Sequence, residues 1–430
     1  MKPKLFITAV FVFALMNVNA QHEPKPIPDQ YIVVLKTNPV IKGGKTSNDR
    51  ESKAASNKAV RDQNIAKLKS VAKGKNIKES SIISEVADVL VAFSAKLTGA
   101  EKKALESDPD VDYVAQDYSV QLDPPKDEDK PTEMGAIFNE QDNEEVRTGP
   151  YGNSIDNTYV KNDSKYFAQV TTCTVIRAGG FVDGSTKPTW IWILDTGIDL
   201  THPDLNVQTN PTFAKSFITG QTVQDGHSHG THCAGIAAAK NNTIGVVGVS
   251  AGAKVVPVKV LSNAGSGSFS GILAGVNHVA MYDIAGDVVS MSIGAYPVGN
   301  CENYYPALRD AIRNLGLAGT HVVMAAGNDS NCNGSPSNLP GCINGTRVYT
   351  VGALNCDLTR ASYSNGTVGV DWVAVGSGVY STIPGGGYGT KSGTSMATPC
   401  VAGVIHARGG APVSGGNIAY CGTTRPLARR

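Results

Sequence analysis

The stretch from Trp190 to Val375 constrains the fold most, because apolar runs of strand length alternate there with helix-length segments. The runs are Trp190-Ile191-Trp192-Ile193-Leu194, Val255 to Leu261, Val288 to Ile293, His321 to Ala325, Val348 to Val351 and Trp372 to Val375. Ile272 to Ala280 and Tyr305 to Leu315 are helix-length segments between them. Strands alternating with helices predict an α/β fold with a mostly parallel sheet flanked by helices. Functional groups are then expected at the carboxyl ends of the strands.

Four segments carry residues suited to acyl transfer. Gly393-Thr394-Ser395-Met396-Ala397-Thr398-Pro399 puts a serine among small residues just ahead of a helix-compatible run, Val401 to Ile405. Serine alone is a weak nucleophile, so such a reading needs a base, an orienting carboxylate and an oxyanion donor. Asp195-Thr196-Gly197 ends the first apolar run, where a carboxylate can fix an imidazole tautomer; alone, it is equally a turn. His227-Ser228-His229-Gly230-Thr231-His232-Cys233-Ala234-Gly235 supplies histidines, the side chain with a pKa suited to general-base work. His229 and His232 are also spaced for a metal pair, but the glutamate of a zinc-protease helix is missing. Asn328, after Ala325-Ala326-Gly327, can donate an amide hydrogen to a developing oxyanion.

The N-terminus has a basic start, Met1-Lys2-Pro3-Lys4, an apolar run from Leu5 to Met16, and the small-residue exit Val18-Asn19-Ala20. This predicts a signal peptide over 1–20. No later stretch has the length and apolarity to span a bilayer, so a secreted, soluble chain is expected. A formal net charge of +1 gives no support to a nucleic-acid or anionic-membrane partner. Over 21–122 the order reads β-α-β-β-α-β, a small ferredoxin-like domain: Tyr31 to Leu35, Glu51 to Val71, Ser81 to Ala87, Val89 to Ala95, a helix opened by the capping box Thr98-Gly99-Ala100-Glu101, and Val111 to Val114. Its lysine-rich helix reads as a solvated face. Asp123 to Arg147 then holds nine acidic residues against three basic, with Pro124, Pro125 and Pro131. That marks 123–150 as an exposed linker and the expected site of proteolysis, with the second domain over 151–430. All eight cysteines fall within 151–430, which in an exported chain suggests disulfides; Cys332 with Cys342 is the best single pair by position.

Taken in order, the Asp195, His229, Asn328 and Ser395 segments resemble those of the subtilisin-like serine proteases, the subtilase family, and most closely its proteinase K-like branch. The resemblance covers most of Ile191 to Val404. It implies a secreted serine endopeptidase with Ser395 as nucleophile, His229 as general base and then acid, Asp195 orienting the imidazole, and Asn328 with the Ser395 N–H holding the oxyanion. His227 and His232 are then structural or rim residues. Gly265-Ser266-Gly267-Ser268 and Ser292-Ile293-Gly294-Ala295 look like the family's two edges for an extended peptide. No acidic cluster lies in these segments, which points to broad or apolar-leaning specificity. Tyr31 to Val120 resembles the family's inhibitor-type propeptide, an intramolecular inhibitor until removed. The resemblance implies a monomer acting on protein or peptide substrates, with no cofactor required for chemistry. Asp371, with the carbonyls of Thr346 and Val348, stands where proteinase K-like members bind structural calcium.

Two departures stand out. Cys400 replaces the histidine that many members carry after the proline of the serine motif. With Cys233 it forms either two buried free thiols or a disulfide beneath the site. The chain after Ser395 is short and ends in a basic stretch, Arg425 to Arg430, instead of a closing helix. The alternative to a protease is a catalytically silent or propeptide-retaining binding protein, and the complete motif set argues against silence.

Overall fold

The computed structural model describes residues 24–42, 49–122, 169–295, 301–332, 338–366 and 369–430. The expected signal peptide and the acidic linker lie outside these residues.

In the N-terminal unit β1 (Pro26–Leu35) pairs antiparallel with β3 (Ala92–Lys96) and β4 (Val111–Gln121), and β2 (Ile82–Val86) pairs with β3. The order β4-β1-β3-β2 is that of a split βαβ unit. The predicted first helix is two, α1 (Arg50–Ser56) and α2 (Lys58–Gly74), divided at Asn57. Helix α3 (Gly99–Glu106) opens on the predicted capping box, with both reciprocal bonds between Thr98 and Glu101 formed. The helix cations are not all solvated: Arg50, Lys53 and Arg61 are buried, each against a buried carboxylate. A lysine-rich composition hides this because the partners lie far away in sequence.

The C-terminal unit has a ten-stranded sheet. Its parallel core consists of β5 (Ile191–Asp195), β6 (Lys254–Lys259), β8 (Val288–Met291), β9 (His321–Ala325), β10 (Val348–Leu354) and β11 (Trp372–Val375), in the order β6-β5-β8-β9-β10-β11. A short strand, β7 (Ser266–Ser268), stands outside this sheet. Four helices matter for the site: α4 (His229–Ala238), α5 (Phe269–Tyr282), α6 (Pro306–Leu317) and α7 (Thr394–Arg408). α4 and α7 are buried along nearly their whole length, in one apolar cluster with Ile191, Ile193 and Val323. The other face of the sheet packs on α5 and α6.

One expected cysteine pairing is corrected and two open points are resolved. The basic C-terminal stretch is a strand: β12 (Val413–Tyr420) and β13 (Thr423–Arg429) form a hairpin, and β13 joins the sheet beside β11 through Val373 and Leu427. Cys332 bonds Cys421 at the hairpin turn, not Cys342, because folding brings their Cα atoms within 5.2 Å across 89 residues. Cys173 bonds Cys356, and Cys342 is disulfide-bonded as well. Cys233 and Cys400 are both free and buried, so the disulfide beneath the site is not formed.

The two units share one core. Ile32, Val34, Val89 and Val120 cluster with Ile272, Leu273, Leu308 and Ala311. Asn277 on α5 accepts the backbone N–H groups of Ala87, Asp88 and Val89, and Asn314 on α6 donates to the Val89 carbonyl. Asp117, fully buried, accepts from Ser270 N at the start of α5 and from Tyr305 Oη. A carboxylate is well placed at that helix N-terminus, where N–H groups lack intrahelical partners.

Candidate active site

Asp195 ends β5 with no solvent exposure. Its two carboxylate oxygens lie 2.8 and 2.9 Å from His229 Nδ1, and Oδ1 also accepts from Thr196 N at 2.7 Å. A carboxylate at Nδ1 keeps the proton on that nitrogen and leaves Nε2 as the basic one. Burial is the largest single influence and lowers the His229 pKa, but the Asp195 charge, the neighbouring Cys233 and the hydrogen bonds from both together outweigh it and hold the imidazole well above its usual value.

His229 is the first residue of α4, entered through Ser228 in a left-handed conformation at φ 87°. Asp225 holds this turn. Its Oδ1 accepts from His227 N, Ser228 N and Thr196 Oγ1, and its Oδ2 accepts from Thr231 N and Oγ1. Thr196 Oγ1 in turn accepts from Gly230 N. The strained residue persists because this network over-determines it. Lys259 at the end of β6 is buried beside the same groups, bonded to the Thr196 carbonyl and, at 2.8 Å, to Asn263 Oδ1. Sequence reasoning missed Asp225 and Lys259. The available signal was an Asp-Gly pair just ahead of a helix start, which reads as turn chemistry.

Ser395 stands in the first turn of α7, which carries Pro399 in its interior. Proline has no N–H, so the Ser395 carbonyl lacks its partner four residues on. Ser292 Oγ donates to that carbonyl at 2.8 Å and Cys233 Sγ at 3.5 Å. In return Ser395 Oγ donates to the Ser292 carbonyl at 3.1 Å, and among the described residues no hydrogen bond joins it to His229. The hydroxyl is committed to the Ser292 carbonyl and not to the imidazole.

Asn328 follows β9. Its Oδ1 accepts from Thr394 N at 2.9 Å and Thr394 Oγ1 at 3.0 Å, which fixes the orientation of its amide. A Cβ on Gly393 would lie 3.6 Å from both Asn328 Nδ2 and Ser395 N. The two nitrogens therefore flank the space that this glycine leaves open.

The Subtilase family model matches residues 186–407, and the Peptidase inhibitor I9 model matches residues 30–123. The chain is similar to Subtilisin amylosacchariticus of Bacillus subtilis subsp. amylosacchariticus, at 31% identity over 402 residues, 92% of this chain and 84% of that protein. The chain belongs to the subtilase family. A Cuticle-degrading protease of Metarhizium anisopliae is 34% identical over 319 residues, covering 73% of this chain and 69% of its own length. A solved cold adapted subtilisin-like serine proteinase is 30% identical, with TM-score 0.46, over 60% of this chain and 80% of that one. The Subtilase model and the Bacillus relative show the family without singling out its proteinase K-like branch. A subtilase domain preceded by an inhibitor domain is a serine endopeptidase made as a zymogen.

Of the two segments expected to be peptide edges, 292–294 meets Ser395 through the Ser292 bonds, and 265–268 lies beside His227. β7 pairs antiparallel with β4 of the inhibitor domain, Ser266 with Gln121, Gly267 with Val120 and Ser268 with Ser119, and Leu122 N donates to the Gly265 carbonyl at 2.9 Å. Gly265 turns there at φ +76°, and a side chain would press on His227 Nε2 and Gln121 Nε2. On the other edge, Ser292-Ile293-Gly294 continues from β8. A Cβ at Gly294 would fall 1.9 Å from Asn338 Oδ1, so only glycine fits.

The remaining predicted residues separate cleanly. His232 is fully buried, and its Nε2 lies 3.0 Å from the carbonyls of both Val379 and Gly389. Burial pushes its pKa down to about 3, so it is a neutral structural residue. His227 stands edge-on to His229, with ring centroids 6.3 Å apart. Burial raises the thiol of Cys233 and pushes that of Cys400 up to about 12, so neither is a thiolate at neutral pH. Asp371 accepts from Thr350 N at 2.8 Å, and burial raises its pKa.

Proposed function

We propose that Ser395 is the nucleophile, His229 the general base and acid, Asp195 the orienting carboxylate, and Asn328 with the Ser395 N–H the oxyanion donors. The observation that carries this reading is the Asp195 carboxylate on His229 Nδ1, which commits Nε2 to proton transfer. Substrate bound along 265–267 and 292–294 requires Ser395 Oγ to leave the Ser292 carbonyl and turn to Nε2. As Oγ bonds the scissile carbon its proton passes to Nε2, and the carbonyl oxygen becomes an oxyanion between Asn328 Nδ2 and Ser395 N. His229 then gives that proton to the departing amine as the C–N bond breaks, leaving an acyl-enzyme. Water, deprotonated by Nε2, attacks the ester, and the proton returns to Oγ as the acid product leaves.

The β4–β7 pairing supports autoinhibition, since the chain's own strand occupies an edge that peptide substrates would use. In this reading 1–20 is a signal peptide, 21–122 the propeptide, 123–150 the linker cut on maturation, and 151–430 a secreted, monomeric peptidase. The processed chain should cut casein internally, while the zymogen should not until its linker is cut. Processed chain, verified by N-terminal sequencing, that leaves casein intact would overturn the reading. Asn328→Ala is expected to lower kcat by roughly 10²–10³ with little change in KM, because its amide acts on the transition state; unchanged kcat excludes it from the oxyanion site.

Calcium at Asp371 is a structural proposal only. The donors are the hard oxygens calcium takes, and a cation would offset the desolvation that raises this carboxyl. Added calcium should raise Tm in the wild type and not in Asp371→Asn; equal responses remove the site.

A further inference from the structure

The peptide cleft lies at the carboxyl end of the parallel sheet, but the propeptide also grips the opposite end. Arg50 and Lys53, one helical turn apart on α1, both point into the protease domain and are only 6% exposed. The Arg50 guanidinium lies 3.6 Å over the Trp190 ring. It pairs with Asp287, its Nη2 lying 2.8 Å from Oδ1, and donates to the carbonyls of Pro188 at 3.0 Å and Tyr282 at 3.1 Å. Lys53 Nζ pairs with the Asp283 carboxylate and donates to its carbonyl at 3.1 Å. Planar stacking, forked pairing and two carbonyls use the specific geometry of arginine, which lysine does not reproduce.

These sockets belong to the protease domain in their own right. Asp287 is held by Trp190 N, Trp192 Nε1 and Ile284 N, and Asp283 accepts from Thr320 Oγ1. Trp190 and Asp287 immediately precede β5 and β8, whose far ends lead to Asp195 and Ser292. At roughly 3.3 Å per residue, the five-residue β5 puts the two ends about 16 Å apart. The propeptide therefore straddles the sheet, with β4 at the cleft edge and α1 at the amino end.

We propose that the Asp287 and Asp283 sockets are a second docking surface, outside the cleft, that takes the Arg50 and Lys53 helix and keeps the propeptide on the protease after the linker has been cut. This rests on the reading of the N-terminal domain as an inhibitor. Losing β4 from the cleft edge leaves the α1 anchor in place, so release is governed by the buried ion pairs as well as by the cleft edge and the apolar face shared with α5 and α6.

The test uses full-length chain. Linker cleavage is followed by gel, and the onset of peptide hydrolysis is followed after dilution of the cut complex. Arg50→Ala with Lys53→Ala should leave linker cleavage and the mature enzyme's kcat/KM unchanged, because α1 is absent from the mature chain. Loss of one partner from each buried pair should speed release roughly 100-fold or more. Arg50→Lys and Lys53→Ala alone guard against misfolding of the double variant, and each should give an intermediate rate. Release rates within twofold of wild type in the variants, with inhibition by the cut propeptide intact, overturn the latch and spare the inhibitor reading. Wild-type complex that is fully active as soon as the linker is cut overturns both.

Discussion

Ser395→Ala is expected to fold, to remain uncut at its linker, and to lose on the order of 10⁶ in kcat once the linker is cut by an added protease. The methyl side chain removes the attacking oxygen, and no nearby group replaces it. Cys233 is the closest thiol, but it donates to the Ser395 carbonyl and burial keeps it protonated. Ser292 is turned to the same carbonyl. Residual hydrolysis should reflect only the Asn328 and backbone donors, which act on water attack as well. Stability should change little, because Ser395 Oγ makes one bond, to the Ser292 carbonyl. Peptidase assay, gel analysis of linker cleavage and a thermal melt check the three parts. Self-processing by the Ser395→Ala zymogen would contradict them.

Asp195→Asn should cost roughly 10⁴ in kcat and also move the pH profile. Asparagine is nearly the same size, but its amide can donate to Nδ1 and so place the histidine proton on Nε2, the nitrogen that must be basic. The sign of the pH change follows from the two opposing influences on His229. Burial lowers its pKa most, and the Asp195 charge and hydrogen bond, helped by Cys233, together raise it past the usual value. Only the neutral imidazole is a base, so the wild-type profile should lose activity as pH falls through a value above the ordinary 6.5. With the charge removed, burial is left, and the acid limb should move to lower pH at much reduced rate. A profile of kcat/KM against pH reads both. A limb that stays in place would mean that Asp195 does not set the imidazole's titration.

The parts legible in sequence were those whose chemistry demands particular residue types in particular surroundings. Strand runs leading to Asp195 and Asn328 could be read because a buried strand stays apolar until the polar group at or just past its carboxyl end. The Thr98–Glu101 box could be read because it is local, and it forms as expected. The illegible parts depend on long-range placement. Nothing near Arg50 announces Asp287, 237 residues away, so a buried latch looked like a solvated helix face. Cys332 had Cys342 nearby in sequence, yet bonds Cys421 because the C-terminal hairpin closes the sheet beside it. Asp225 was passed over because one carboxylate in a turn is ordinary until its five donors are seen.

The central claim is that Ser395 is a nucleophile activated by His229 and becomes open to added substrates and probes once the propeptide is gone. A fluorophosphonate reacts only with a serine so activated, and peptide mass mapping locates the adduct. The account predicts one adduct, on Ser395, in processed protein, with little in the zymogen and none in His229→Ala. An adduct on another residue, or none in processed wild type, would contradict it.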